Sequence, residues 1–301
     1  MLFLRFGVFH KYLSNTNVFE HSKKYYSIAE NHIPQEINIR TLETLGNWTI
    51  NGDWTRSFTA HPKNFLTNRD TGELVIMGTY PLKPYFELGV ISVSADGKQM
   101  IHKVDLKLNR CILCHEIGVT KSHNNMSCRY NVILDFPLTM DLKRLIIGEE
   151  LIKYNEDGYA RIGIMPRYGD ANSIKWFEVE PCYVFHLINC FEDYDEVVVR
   201  ACRARRWIIP RPNESELSSD TLNETSFSKD NIESSKDLFS FFNVCEWRLN
   251  MKTSKVKMKN LTTNDHRFIM ELPMINEHFI GLKNKFGYQQ LINLETFSNS
   301  G

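Results

Sequence analysis

The chain has 301 residues, is 42% hydrophobic and carries 36 basic against 36 acidic side chains. That is enough apolar material for a sizeable core, and a neutral balance gives no electrostatic reason to expect nucleic acid as a partner. Seven scattered cysteines, an odd number, do not read as a disulfide framework and fit a reducing compartment. The lone pair Cys111 and Cys114 has no obvious second pair or Cys/His partner at the close spacing that a zinc site wants.

In chain order the dominant signal is short strands and turns. Met1 to Phe9 is apolar but too short to span a bilayer, and no other run approaches the roughly 20 residues required. It also lacks the composition of a plastid transit peptide. Glu73 to Met77 is β-rich. Tyr85 to Ser94 and Met100 to Leu108 flank Asp96-Gly97, read as a tight hairpin with φ > 0 at both turn residues. Tyr130 to Phe136 is a further strand, followed by a predicted helix over Asp141 to Tyr154, interrupted at Gly148. Ile174 to Val179, Cys182 to Leu187 and Glu196 to Ala201 are strands at short spacing. Pro210 to Asp237 is polar and reads as a solvated loop; its two glycosylation-type triplets carry no weight. Cys245 to Met251 and Lys255 to Met258 form a last hairpin around Thr253-Ser254. This spacing predicts an all-β sandwich, barrel or propeller, and composition does not choose among them.

Of ten histidines, three lie in apolar strand-like surroundings: His61, His115 and His186. An imidazole among strand residues needs a hydrogen-bond partner or a metal. Their separations match no local metal-binding spacing, so the residues alone raise a distributed metal site only as one option beside three satisfied core histidines. No Gly-x-Ser-x-Gly elbow is present to support a hydrolase.

A series of motifs goes further. They are Asn15 to Val18, Tyr26 to Glu30, Phe58 to Lys63, Cys114 to Thr120 and Asp135 to Leu138. Then come Ile164 to Tyr168, Lys175 to Glu178, Phe185 to Asn189, Glu246 to Asn250, Glu271 to Asn276 and Lys283 to Tyr288. In this order they resemble the carotenoid cleavage dioxygenase family, from about Asn15 onward. Tyr159 to Asp170 looks like its plant subgroup. The resemblance implies a seven-bladed β-propeller, here an arc with blades missing at both ends. Residues 1–14 stand outside it, 15–301 form the partial propeller domain, and a polar loop lies at about 209–238.

The resemblance also implies Fe(2+) held by histidines, three of them His61, His115 and His186. The family's fourth iron-binding histidine has no counterpart in these residues. Glu30 and Glu246 are expected to hold ligating imidazoles from outside, and Phe185 to line an apolar substrate tunnel. The implied reaction adds O2 across a conjugated double bond of a carotenoid or apocarotenoid and releases two carbonyl products. The competing reading is a truncated, inactive relative that binds apolar ligands or partners. A plastid location, or else the cytoplasm, is implied, with peripheral membrane association through segments outside these residues.

Overall fold

The computed structural model describes residues 14–30, 32–68, 71–80, 87–113, 115–121, 128–205, 242–262 and 268–293. Most of the N-terminal stretch, the polar segment 209–238, Cys114 and most of the stretch 121–128 lie outside these residues. The described residues form sheets almost throughout.

The first sheet is a meander of β1 (Asn17–His21), β2 (Lys24–Ile28), β3 (Gln35–Ile37) and β4 (Thr44–Asn47). The second runs β5 (Lys63–Asn68), β6 (Thr71–Tyr80), β7 (Glu87–Val93) and β8 (Met100–Lys107). The third pairs β9 (Gly118–Lys121), β10 (Cys128–Asp135), β13 (Ala160–Pro166) and β14 (Lys175–Val179). Between β10 and β13 it carries a small hairpin, β11 (Leu138–Met140) and β12 (Ile152–Tyr154). The fourth is β15 (Tyr183–Asp193), β16 (Glu196–Ala204), β17 (Phe242–Asn250) and β18 (Val256–Asn260). A final pair, β19 (Phe268–Met274) and β20 (Tyr288–Asn293), follows. Every pairing is antiparallel between chain neighbours, apart from the inserted hairpin, so closing entropy stays low.

Side-chain alternation explains how the sheets stack. Leu74 and Ile76 of β6 face a core with Tyr26, Trp48 and Phe58, between the first and second sheets. Val75 and Met77 face the opposite way, onto Val119 and Ile133 of the third sheet and Ile117 just before it. In β10, Ile133 joins that second core, while Val132 and Leu134 pack against Val184, Val197, Val199 and Trp247 of the fourth sheet. A strand covered on both faces needs apolar residues in an unbroken run, which is why Leu74 to Met77 shows no polar alternation.

The first strands of successive sheets touch along one line. Asn17 of β1 donates from Nδ2 to the Ala60 carbonyl at 2.9 Å. His61, just before β5, forms a parallel bridge with Glu116, just before β9. Strand β15 packs beside both β9 and β19. Sheets radiating from a shared line of first strands form the arc of a β-propeller.

Two sequence expectations are corrected. The helix spans only Leu142–Ile146 (α1). The chain reverses at Gly148, φ 78°, and Ile152 to Tyr154 returns as a strand against Leu138 to Met140. Ile146, which helical spacing would place on an apolar face, is solvent-exposed, so the pairing of β11 with β12 overrides the periodicity. The Asp96-Gly97 turn is not a two-residue hairpin either. Only Gly97 has positive φ, and Asp96 instead accepts hydrogen bonds from Ser94 Oγ at 2.6 Å and Lys98 N at 3.1 Å. This Asx geometry stabilises a longer loop between β7 and β8. Among the described residues no helix is long and apolar enough to cross a membrane.

Candidate metal centre

Each of the three strand-embedded histidines lies on or just before the first strand of its own sheet: His61 before β5, His115 before β9 and His186 on β15. Because those strands converge, residues 54 and 71 positions apart meet. The Nε2 atoms of His61 and His115 are 2.9 Å apart, and those of His115 and His186 are 3.3 Å apart. All three rings offer a ligand atom within 4.8 Å of the others.

The partners on the far side of two rings fix their tautomers. His115 Nδ1 meets the Glu30 carboxylate, which comes from the turn after β2. His186 Nδ1 meets Glu271 Oε2 of β19 at 2.7 Å. A neutral imidazole has one N–H. Donated to a carboxylate through Nδ1, it leaves a lone pair on Nε2. As neutral rings, His115 and His186 therefore aim two lone pairs at one point, their Nε2 atoms 3.3 Å apart. That is repulsive unless a cation lies between them. Two nitrogens each about 2.1 Å from a metal and about 90–109° apart are separated by about 3.0–3.4 Å. The donor set thus fits a divalent transition metal, and imidazole suits iron among several.

Electrostatics agree. Burial pushes the His61 imidazole down to about 4; Glu116 opposes the fall, and Lys63 and, when protonated, His115 and His186 add to it. It is neutral at pH 7, as a metal ligand has to be. For Glu30, burial pushes the carboxyl up, but the hydrogen bond and charge of His115 outweigh it and the net displacement is downward. The carboxylate stays ionised to hold its imidazole.

The local backbone is built for this aim. Strand β15 shifts register between Val184 and Leu187, an interval that contains His186, and again between Leu187 and Asn189. Strand β19 shifts between Glu271 and Met274, with Leu272 at φ 51°. Bulges turn a side chain off the regular alternation, and a left-handed leucine is a strained position. Both irregularities fall on the His186–Glu271 pair.

Glu246 is the expectation that the structure corrects. It lies on β17, the third strand of its sheet, away from the line of first strands. There it accepts from Arg200 Nε at 2.8 Å and lies 3.3 Å from Arg248 Nη1. The carboxylate on His186 is Glu271, which belonged to a quoted motif but was given no role. Its signal was a single acidic residue inside the apolar strand Phe268–Met274. Also missed was the buried ion pair of Lys63 with Glu116. Phe185 stands edge-on to His115, with ring centres 5.8 Å apart, and to Tyr183 at 5.4 Å. It borders the apolar cluster of Leu138, Tyr154 and Tyr183. A cavity of about 390 Å³ opens onto the site, lined by His61, Lys63, Glu116, His186, Asn17 and Met274 among others. Phe185 does not line it.

Residues 4–300 match the protein family described as Retinal pigment epithelial membrane protein. The chain is 30% identical over 281 residues to carotenoid 9,10(9',10')-cleavage dioxygenase 1 of Phaseolus vulgaris, covering 91% of this chain and 45% of that protein. It is 23% identical over 278 residues to isoeugenol monooxygenase of Pseudomonas putida, covering 92% of this chain and 52% of that one. Among solved structures, the lignostilbene dioxygenase of Pseudomonas brassicacearum superposes with a TM-score of 0.72 at 23% identity, covering 94% of this chain and 54% of that one. A cobalt-substituted Synechocystis ACO gives 0.73 at 16% identity, covering 92% and 54%. The chain spans about half the length of the curated relatives it matches.

Proposed function

The chain belongs to the Retinal pigment epithelial membrane protein family, the carotenoid oxygenases, and from this premise we propose that it carries His61, His115 and His186 as ligands of a non-haem Fe(II) centre for oxidative cleavage of a conjugated double bond. The substrate class is a carotenoid or apocarotenoid; the plant relative is named for carotenoid cleavage. Both atoms of O2 enter the products: the C=C bond is broken and two C=O bonds are formed. Fe(II), when bound, supplies the activation of O2 for this addition.

The observation that carries the reading is the 3.3 Å approach of two Nε2 lone pairs whose tautomers are fixed by Glu30 and Glu271. These side chains do the positioning. Glu30 holds the His115 ring and Glu271 the His186 ring, so both aim at one point before any metal arrives, which lowers the ordering cost of binding. His61 completes a three-nitrogen face. Neutral imidazoles leave the charge of the cation uncompensated at short range, and the carboxylates one ring away balance it. An open side of the metal is what O2 and substrate need. Phe185, edge-on to His115, offers an apolar surface beside that point, suited to a polyene chain.

The test is anaerobic reconstitution of the chain with Fe(II), followed by iron analysis and incubation with a carotenoid under O2. Near one iron per chain, lost on His115→Ala, and two carbonyl products carrying oxygen from labelled O2 are expected. Iron binding indifferent to His115 would overturn the metal assignment.

A further inference from the structure

We propose that Glu116 is a positioning residue, a buried strap that sets the mutual spacing of the three histidine-bearing segments; the proposal rests on the metal reading above. Glu116 directly follows His115 and is only 4% exposed. Its two carboxylate oxygens go to two different sheets. Oε1 pairs with Lys63 Nζ, and Lys63 lies two residues after His61. Oε2 accepts from the Leu187 backbone N–H at 2.6 Å, and Leu187 directly follows His186. One side chain thus ties the neighbour of each ligating histidine to the others.

Two further features show that the seam is built around this carboxylate. The bulges on either side of Leu187 interrupt the regular β15–β16 ladder, and the Leu187 N–H is directed to Glu116. A buried N–H without a partner is costly, so Glu116 supplies the acceptor that lets the bulge persist. Two residues on, Gly118 approaches β15 so closely that a Cβ would sit 2.6 Å from Cys190 Sγ and 2.9 Å from Val132 Cβ. The parallel bridge between His61 and Glu116 adds a backbone tie on the other side. Sheet-to-sheet distance at the histidines is therefore fixed by contacts of Glu116. The charges balance as well: the buried carboxylate is matched by an ammonium that is only 17% exposed.

The strap is tested with Co2+ alone as the probe, titrated into the full chain, with the visible cobalt band as a readout of ligand geometry. The variants are Glu116→Gln, Glu116→Asp and the pair Lys63→Met with Glu116→Gln, which leaves no buried charge stranded; circular dichroism checks folding. Wild-type chain binds Co2+ and His115→Ala does not. Glu116→Gln, or the double variant where the single one does not fold, weakens Co2+ binding by about 10–100-fold and shifts the band, as for other outer partners of metal ligands. Glu116→Asp restores part of the affinity. A folded variant with wild-type affinity and band overturns the strap while leaving the metal site standing. Failure of both Gln-bearing variants to fold overturns it too, since Glu116 would then serve the whole fold. Absence of histidine-dependent Co2+ binding in the wild type defeats the metal reading, and the strap falls with it.

Discussion

An imidazole with a carboxylate on Nδ1 has only Nε2 left to offer, and this division of labour separates the acidic residues of the site by function. Glu30 and Glu271 touch the rings of His115 and His186, and among the described residues the Glu246 carboxylate pairs with arginines and a lysine. Replacing Glu271 with Gln should weaken metal binding by about 10–100-fold. Glu246→Gln should leave metal affinity unchanged yet lower stability by about 1–3 kcal/mol, because it removes the charged acceptor from a buried network. Metal titration and urea denaturation of the two variants distinguish these roles, and equal metal loss in both would contradict the assignment. His61 makes a pH prediction for the metal-free protein. Unfolded histidine takes its proton near pH 6.5, whereas folded His61 resists until about 4. Between those values the unfolded state binds more protons, so this contribution to stability is full above about pH 6.5 and is lost as pH falls towards 4. Urea midpoints at pH 7.5 and pH 5 should fall further for wild type than for His61→Gln. An equal fall removes His61 as the source.

At the scale of the element, the site depends on strands that break their own regularity. A continuous ladder would send alternate side chains of β15 to opposite faces. The register shifts around Leu187 interrupt that alternation and let His186 join the line of first strands. Close sheet approach at Gly118 works in the same direction. Gly118→Ala should lower stability by about 1–3 kcal/mol, since neither Cys190 nor Val132 offers a flexible end that could yield. Thermal denaturation of the metal-free chain checks this, and an unchanged midpoint would mean that the seam relaxes more easily than its contacts suggest. The inserted hairpin β11–β12 makes a related point. Apolar residues at helical spacing were recruited into a strand pair because Leu138 and Tyr154 gain a buried cluster with Tyr183.

Across the molecule, three cores lie between successive sheets, and β6, β10 and β13 each contribute to two of them. Loss of one sheet therefore weakens the cores on either side of it. The β19–β20 pair differs from the four-stranded sheets: Leu272, Met274, Phe286, Tyr288 and Leu291 of this region are exposed. Contiguous apolar surface of this kind drives association. The chain on its own should self-associate with rising concentration, and Met274→Lys with Leu291→Lys should shift sedimentation towards the monomer. A wild-type chain that stays monomeric at high concentration would show that this face is not sticky enough to matter.

Strand content was legible in the sequence because apolar runs and apolar–polar alternation are local signals, and Leu74 to Met77 carries the first and Cys245 to Leu249 the second within a few residues. Motif order around His61, His115 and His186 was legible for the same reason. What sequence could not supply was any relation set by bringing distant strands together. Glu271 and His186 are 85 residues apart, and Lys63 and Glu116 are 53 apart. No local pattern marks such pairs, so Glu246 could be taken for the partner that Glu271 is. Strand formation follows from local propensity and periodicity, whereas the site follows from sheet stacking and bulge geometry, which exist only once the cores between the sheets have closed.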